Sequence, residues 1–249
     1  MADPACTLLV EAASGKVLER QGSQCETRNS PASTFKIALA VMGYDAGLLH
    51  DAHTPAWPYQ DDYEAWMESW KNTIDPTSWL RESVVWYSRE ITRRLGSDRF
   101  QQYVDRLDYG NRDLSGDPGR NNGLANAWLS SSLAISPAEE ITFLRNLLTD
   151  QLPVSNLALA RTISILPRFP LPNGWTAHGK TGTGFQPGTD GQPDRDRQFG
   201  WFVGWAQKGE RRVAFARLIK DERKIQTPAG WRARDGLLGD LPPLLGRIR

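Results

Sequence analysis

Short apolar segments bounded by turn residues lie near both ends of the chain, and this pattern predicts strands there. At the start, the apolar segment 7–10 and the segment 16–19 flank the turn Ala13-Ser14-Gly15, so we expect a β-hairpin. The final third contains three more segments that predict strands, at 175–183, 199–207 and 211–219. Residues 185–198 lie between the first two of these, and their polar composition predicts a loop.

The middle of the chain follows a helical period instead. Five helices are predicted, over 35–47, 77–95, 97–107, 137–148 and 228–245. The clearest start is Ser136-Pro137-Ala138-Glu139, a capping box with proline at the first helical position. Gly96 is expected to stop one helix and Ser97 to cap the next. Residues 50–75 are rich in Pro, Asp and Trp, which predicts a loop.

These elements predict an α+β fold of the α/β sandwich type. An antiparallel sheet is built from strands at both chain ends and covered by helices, and a mostly helical insertion lies between them. The sequence has neither a repeat nor a stretch of linker composition, so we expect residues 1–249 to form a single folded unit. Its sheet-bearing part takes roughly 1–45 and 170–249, and its helical part roughly 50–168.

The charge balance and hydropathy exclude two classes of partner. The chain has 30 Lys and Arg against 29 Asp and Glu, a net charge of +1, which supplies no broad field for nucleic acid or an anionic membrane. No run reaches the ~18 consecutive apolar residues that a membrane span needs. We therefore expect neither nucleic acid nor membrane as a partner, and the composition does not decide between a monomer and a homodimer.

The two cysteines bear on the compartment. Cys6 and Cys25 lie at the open end of the predicted hairpin, where a disulfide is geometrically reasonable and would stabilise the fold by roughly 3 kcal/mol; two unpaired thiols are the alternative. The opening Met1-Ala2-Asp3-Pro4 has neither a basic start nor an apolar stretch, as expected after a signal peptide has been removed. We expect a periplasmic protein; a cytosolic protein with this same start is the alternative.

Ser33-Thr34-Phe35-Lys36 is the first motif that carries chemistry. A serine and a lysine three residues apart share one face of a helix. A serine needs an adjacent base to become a nucleophile, and an apolar setting lowers the pKa of a lysine toward its basic form. Alone, this spacing is equally compatible with an N-terminal serine and a solvated lysine.

Lys180-Thr181-Gly182-Thr183-Gly184 is the second motif. It lies at the end of a predicted strand, where Lys180 can bind an anionic group and glycine permits close backbone approach. Alone, it is also compatible with a strand that ends in a glycine turn. His178 shares a strand face with Lys180, but His50, His53 and His178 do not form a metal cluster, so no metal is expected.

Together and in this order, the two motifs are the pair found in penicillin-recognising serine enzymes. Further segments make the sequence resemble the class D β-lactamases, the oxacillinases. Ser83-Val84-Val85 is similar to their serine-x-valine motif and Tyr109-Gly110-Asn111 to their tyrosine-glycine-asparagine motif; the segments around Trp128 and over 200–205 also resemble theirs. The resemblance spans nearly the whole chain. Class A is not favoured, because no Ser-Asp-Asn occurs.

The resemblance implies hydrolysis of β-lactams, penicillins and also cephalosporins, through an acyl-enzyme on Ser33. The amides of Ser33 and Thr183 form the oxyanion hole. Lys36 reacts with carbon dioxide to give a carbamate, which is the general base for acylation and deacylation. No metal or organic cofactor is implied beyond carbon dioxide. Val85 keeps this pocket dry, and the Trp128 indole donates a hydrogen bond to the carbamate.

The resemblance also assigns the remaining site residues. Ser83 relays a proton to the lactam nitrogen beside Lys180, and Lys180 and Thr181 hold the substrate carboxylate. The family usually places an arginine for that carboxylate before the final helix, and here Arg232 is favoured over Arg234. Thr183-Gly184 and the loop after them are expected to admit bulkier substrates, such as oxyimino-cephalosporins.

Two related functions are the alternatives. A β-lactam sensor domain shares the two main motifs but keeps its acyl group, and a polar residue in place of Val85 would favour it. A peptidoglycan peptidase acting on D-Ala-D-Ala more often has a middle motif that ends in asparagine.

Overall fold

A computed structural model describes residues 4–247 and contains one six-stranded antiparallel sheet in the order β2-β1-β6-β5-β4-β3. Its strands are β1 (Cys6–Glu11), β2 (Val17–Gln21), β3 (Arg168–Pro170), β4 (Thr176–Pro187), β5 (Pro193–Lys208) and β6 (Arg211–Lys220). The helices are α1 (Lys36–Asp45), α2 (Pro76–Glu82), α3 (Val85–Arg106), α4 (Gly123–Asn126), α5 (Pro137–Leu148), α6 (Asn156–Ile165) and α7 (Ala229–Gly246). The α+β prediction is confirmed.

The sheet joins the two ends of the chain, as the sequence predicted. β1 pairs with β6 in antiparallel register, with Leu9 opposite Phe215. One face of the sheet packs on α7 through a cluster that includes Phe202, Phe215 and Leu237. The other face packs on the larger core that contains α1, α3 and α5. Because side chains alternate along each strand, both faces of the central strands are apolar and buried.

The polar loop expected at 185–198 is a β-hairpin instead. β4 and β5 stay paired beyond Phe185 as far as Pro187 and Pro193, with a register shift between Phe185 and Gln186. At its tip the Gly188 amide donates to the Gln192 carbonyl over 2.7 Å. The prediction was wrong because backbone pairing does not require apolar side chains on an exposed ribbon, and the sequence pattern reports only the side chains.

The helix expected over 77–95 is interrupted within its middle. α2 ends at Glu82; Ser83, the next residue, has a left-handed backbone conformation with φ 61°, and α3 begins at Val85. Gly96 interrupts the helix as predicted: its backbone is non-helical, with φ 74° and ψ 164°, and it divides α3 into two helical segments, the second of which continues to Arg106. The capping box at Ser136 is confirmed, since its side chain accepts from the Glu139 amide. α6 and β3 had no counterpart in the prediction.

The hairpin at the start carries the disulfide that its geometry allowed. Cys6 on β1 is bonded to Cys25, with 5.0 Å between the two Cα atoms. Met1–Asp3, on which the expectation of a removed signal peptide depends, lie outside the described residues. Within residues 4–247, helices that combine the length and the apolar character of a membrane span are absent.

Candidate active site

Ser33 and Lys36 lie where a short 3-10 turn, Ala32–Phe35, runs into α1. The Lys36 Nζ donates to Ser33 Oγ over 2.9 Å. Lys36 is fully buried, and this burial holds its pKa well below the usual range; the charges of Lys180 and Arg89 lower the pKa further. A buried lysine that readily loses its proton therefore contacts the hydroxyl of a serine at a helix start.

Aromatic side chains enclose this end of α1. The Phe35 ring stacks on Trp128 at 5.6 Å and meets Tyr109 edge-on at 5.2 Å. Trp128 is fully buried, and its indole Nε1 has no hydrogen-bond partner among the described residues. A buried N–H without an acceptor is costly, so this donor is available for a group that the protein itself does not supply. Val85 is buried as well, at the first residue of α3.

A second serine and lysine meet across the fold. Lys180 on β4 donates from Nζ to Ser83 Oγ over 2.9 Å and to the Thr181 carbonyl over 3.0 Å. Burial lowers the pKa of Lys180 to about 7. The left-handed backbone of Ser83 ends α2, and this break places the hydroxyl within reach of the strand. The charge of Lys180 also lowers the pKa of Lys36, so the two pairs belong to one site.

Glycines let β4 approach the turn that carries Ser33. A Cβ atom on Gly182 would lie 2.9 Å from the Pro31 carbonyl oxygen and 3.2 Å from the Thr34 methyl. A Cβ on Gly184 would lie 2.8 Å from Ser130 Oγ and closer still to the Phe199 ring. These positions therefore require glycine for the close approach. Thr183 follows Gly182, and its Oγ1 accepts from the Gly230 amide at the start of α7 over 2.9 Å.

The two candidate arginines are engaged with acidic neighbours. Arg232 Nη1 donates to Asp221 Oδ1 over 2.9 Å, and Asp221 is buried. Arg234 pairs with Asp235 over 2.7 Å and lies 5.9 Å above the Phe169 ring. The other nine predicted positions of catalysis and binding lie in the turn before α1 and at its first residue, at the break between α2 and α3, at Trp128 and along β4. A substrate role for Arg232 stays a prediction that requires exchange of this ion pair.

The histidine beside the site lies on β4 and packs against the neighbouring strand. His178 stacks on Trp205 with 4.9 Å between ring centroids, and burial lowers its pKa to about 4. Groups of three or more His, Cys, Asp or Glu side chains suited to a metal are absent from residues 4–247.

Sequence reasoning did not single out Glu140. This residue lies in the first turn of α5, is 1% exposed, and accepts a hydrogen bond from the Tyr109 hydroxyl over 2.7 Å. The sequence did contain a signal for it, because this glutamate falls on the apolar face of the helix that the capping box predicts. Asn111, in the same motif as Tyr109, bonds to the backbone of Ser132 and Ala134, consistent with a structural role for that turn.

The sequence is similar to a known protein family and to several of its members. Residues 5–237 match the penicillin binding protein transpeptidase domain. The chain is 42% identical over 242 residues to β-lactamase OXA-9 of Klebsiella pneumoniae, covering 97% of this chain and 88% of that protein. It is 41% identical over 201 residues to β-lactamase OXA-1 of Escherichia coli, covering 80% and 70%.

Solved structures agree with these matches. The crystal structure of the OXA-427 class D β-lactamase superposes with a TM-score of 0.92 at 48% identity, covering 98% of this chain and 99% of that one. The C-terminal domain of the Bacillus licheniformis BlaR penicillin-receptor superposes with a TM-score of 0.80 at 24% identity, covering 96% and 89%. This second likeness extends to the fold alone.

Proposed function

This chain belongs to the class D serine β-lactamases, which hydrolyse β-lactams, and from that premise we propose how its residues perform the reaction. The observation that carries the proposal is the pair of buried lysines, each 2.9 Å from a serine hydroxyl. One pair is suited to attack and to activation of water, and the other to proton transfer toward the leaving nitrogen.

Ser33 is the proposed nucleophile. Its Oγ attacks the β-lactam carbonyl carbon, the C–N bond of the ring breaks, and the nitrogen takes up a proton. The position of Ser33 at the start of a helix favours negative charge at its amide. The Ser33 and Thr183 amides would stabilise the oxyanion, and the tight approach of Gly182 to the turn supports this pairing.

Lys36 is the proposed site of carbon dioxide addition. Its burial favours the neutral amine, which is the form that adds carbon dioxide with loss of one proton. When present, the resulting carbamate supplies a general base for acylation and deacylation. The unpartnered indole N–H of Trp128 fits an added acceptor in this enclosed region, and Val85 helps to exclude water.

Ser83 and Lys180 form the proposed relay to the lactam nitrogen. Lys180 has a pKa of about 7, so near neutral pH it exists in both protonation states and can pass a proton through the Ser83 hydroxyl. The same lysine, with Thr181 and Thr183, would hold the substrate carboxylate. Gly182 permits the close backbone approach, and Arg232 contributes only if it leaves Asp221.

Penicillins and cephalosporins are the proposed substrates. The ribbon formed by β4 and β5, rather than a loop, borders the site after Thr183-Gly184, and we retain the proposal that oxyimino-cephalosporins are turned over. Undetectable turnover of such a compound would contradict it. The disulfide supports a periplasmic location. Both a monomer and a homodimer are compatible with this account.

A β-lactam sensor is the alternative to a hydrolase, and one observation distinguishes them. An enzyme needs a second base step that releases the acyl group, whereas a sensor retains it. Val85 is apolar and buried, which favours a dry pocket for the modified lysine and therefore hydrolysis.

The deciding experiment counts product per active site with a chromogenic cephalosporin, with and without added bicarbonate. Many turnovers that bicarbonate stimulates after carbon dioxide removal support the proposal. Equal activity before and after rigorous carbon dioxide removal would exclude the carbamate as the base. A burst of about one product per enzyme followed by no further release would favour a sensor or a peptidase.

A further inference from the structure

A buried carboxyl group lies behind the turn that carries Ser33. Glu140 on α5, Tyr109 and Thr34 are exposed by 1%, 0% and 1% of their surface. The Tyr109 hydroxyl lies 2.7 Å from Glu140 Oε1, and the Thr34 hydroxyl lies 3.1 Å from the same oxygen. The roles proposed above do not use this cluster, although Thr34 is the residue directly after Ser33.

Counting protons indicates the ionisation state of Glu140. The Thr34 hydroxyl oxygen is also 2.7 Å from the Pro31 carbonyl oxygen, so four oxygens make three hydrogen-bond contacts. The Tyr109 and Thr34 hydroxyls carry one proton each. The third contact needs a third proton, and the carboxyl group of Glu140 is the group that can supply it. A protonated Glu140 satisfies every contact; an ionised one leaves a single Thr34 proton between two acceptors.

The charges around Glu140 favour the same state. Burial raises its pKa to about 7, and the neighbouring carboxylate of Glu139 acts in the same direction, while the hydrogen bonds from Tyr109 and Thr34 oppose the shift. Arg28 binds Glu139 over 3.0 Å and so partly offsets that neighbour's charge. Burial also keeps the pKa of Tyr109 well above its usual range, so the phenol remains a donor.

The cluster touches the backbone that aligns the two motifs of the site. The Pro31 carbonyl accepts the Thr34 amide over 3.1 Å and so closes the turn. The same carbonyl oxygen faces Gly182 on β4, where an added Cβ would lie only 2.9 Å away. The Ser33 and Thr183 amides belong to these same two backbone segments. A change in the hydrogen bonding of Pro31 and Thr34 therefore acts on the spacing of the proposed oxyanion hole.

We infer that Glu140 is a positioning residue, whose protonated carboxyl group holds the Ser33 turn in register with β4. The inference rests on the proposed role of Ser33. When Glu140 ionises, the Thr34 hydroxyl turns from the Pro31 carbonyl toward the carboxylate. The turn then loses one of its two bonds at that carbonyl, and acylation slows. The protein consequently contains a pH-sensitive device that lies behind the nucleophile and makes no contact with it.

The test compares acylation rates of the wild-type protein and Glu140→Gln between pH 5.5 and 9.5. Glutamine is uncharged at every pH, like the protonated acid; with its NH₂ at the position of Oε1 it donates to the Thr34 hydroxyl, and the Tyr109 hydroxyl rotates to accept its second hydrogen. We expect the ratio of Glu140→Gln to wild-type rates to be near one at low pH and about tenfold at high pH. Glu139→Gln removes the adjacent charge but keeps Glu140 and is the matched control; its alkaline decrease should persist, at a somewhat lower pH, because the Glu139 carboxylate raises the pKa of Glu140.

A second variant keeps the inference testable if Glu140→Gln does not fold. Thr34→Val removes the hydroxyl that links Glu140 to Pro31, whereas Thr34→Ser retains it. We expect wild type and Thr34→Ser to share the alkaline decrease and Thr34→Val to lack it. Where Glu140→Gln does fold, adding it to Thr34→Val should produce no further pH-dependent difference, because the two positions act through one contact.

The outcomes separate this inference from the proposed function. If the wild-type protein forms no acyl-enzyme on Ser33 at pH 6, the nucleophile role fails, and this inference fails with it. If it acylates normally but the Glu140→Gln and wild-type profiles run parallel, only the role of Glu140 is overturned. A folded Glu140→Gln protein that is slow at every pH would also overturn it, since the carboxyl group itself would then be required.

Discussion

The site contains two serine–lysine pairs that are alike in distance but different in surroundings. Both lysines are buried, and both donate to a serine hydroxyl over 2.9 Å. Lys36 has Ser33 as its one hydrogen-bond partner within residues 4–247, whereas Lys180 also donates to the Thr181 carbonyl. Lys36 is placed among aromatic rings at the start of α1, and Lys180 on a strand beside a helix break.

The difference in surroundings gives the two lysines different protonation behaviour. Burial lowers both pKa values, but Lys36 is also affected by the charges of Lys180 and Arg89. On this basis we propose that Lys36 is the lysine that adds carbon dioxide as the neutral amine, while Lys180, with a pKa of about 7, can exchange protons near neutral pH. The comparison shows that equal geometry supports unequal chemistry when the electrostatic environment differs.

The largest effect is expected from exchanging the serines of the two pairs for alanine. Ser33→Ala should abolish covalent labelling by penicillin and lower hydrolysis by at least about 10³-fold, because the nucleophile is removed. Ser83→Ala should still be labelled, about 10²-fold more slowly, because only the relay is lost. Mass spectrometry after a timed incubation distinguishes them. Equal labelling of the two variants would remove the distinction between the pairs.

The lysines should separate the two halves of the reaction. Lys36→Ala is expected to accumulate acyl-enzyme, because deacylation loses its base. Lys180→Ala should slow acylation by about 10²-fold and affect the release of the acyl group less. Rapid-quench measurement of both steps provides the check. Accumulation of acyl-enzyme in Lys180→Ala alone would reverse the assignment.

Stability against pH gives a third measure of the difference. The pKa of each lysine is lower in the folded protein than in the unfolded chain, so the unfolded state binds more protons. The free-energy cost that each buried lysine adds to folding is therefore greatest at low pH. Lys36→Met and Lys180→Met should both stabilise the fold at pH 7 in carbon dioxide-free buffer, Lys36→Met more so. Their advantage should disappear as the pH rises toward 10.5, the usual lysine value. Denaturant unfolding at several pH values tests this, and an advantage that grows with pH would contradict it.

The smallest effect is expected from two buried tryptophans on either side of the Ser33 turn. Within residues 4–247 the Trp128 indole N–H has no hydrogen-bond partner, whereas that of Trp201 donates to the Ser30 carbonyl over 3.0 Å. Trp128→Phe should raise the bicarbonate concentration needed for full activity several-fold with little loss of stability. Trp201→Phe should cost about 1 kcal/mol of stability and leave the bicarbonate requirement unchanged. Identical bicarbonate requirements in both variants would argue against an indole contact to the modified Lys36.

Much of the fold could be predicted because its signals are local. The apolar segments of β1, β5 and β6, and the capping box before α5, depend on residues within one element, and each is found where the sequence placed it. The ribbon between Phe185 and Gln198 was missed because its pairing partner, not its own composition, makes it a strand. The break at Ser83 was missed because a left-handed serine leaves no periodic signal.

The site divides in the same way. The Ser33–Lys36 pair follows from the sequence, since residues three positions apart on a helix lie on one face. The order of the motifs, which identifies the family, follows from the sequence as well. Other contacts depend on tertiary packing: Lys180 donates to Ser83, 97 residues away in the sequence, Arg232 pairs with Asp221, and Glu140 lies behind Thr34. Spacing fixes contacts within an element, whereas contacts between elements, and the pKa values that burial sets there, depend on how the whole chain packs.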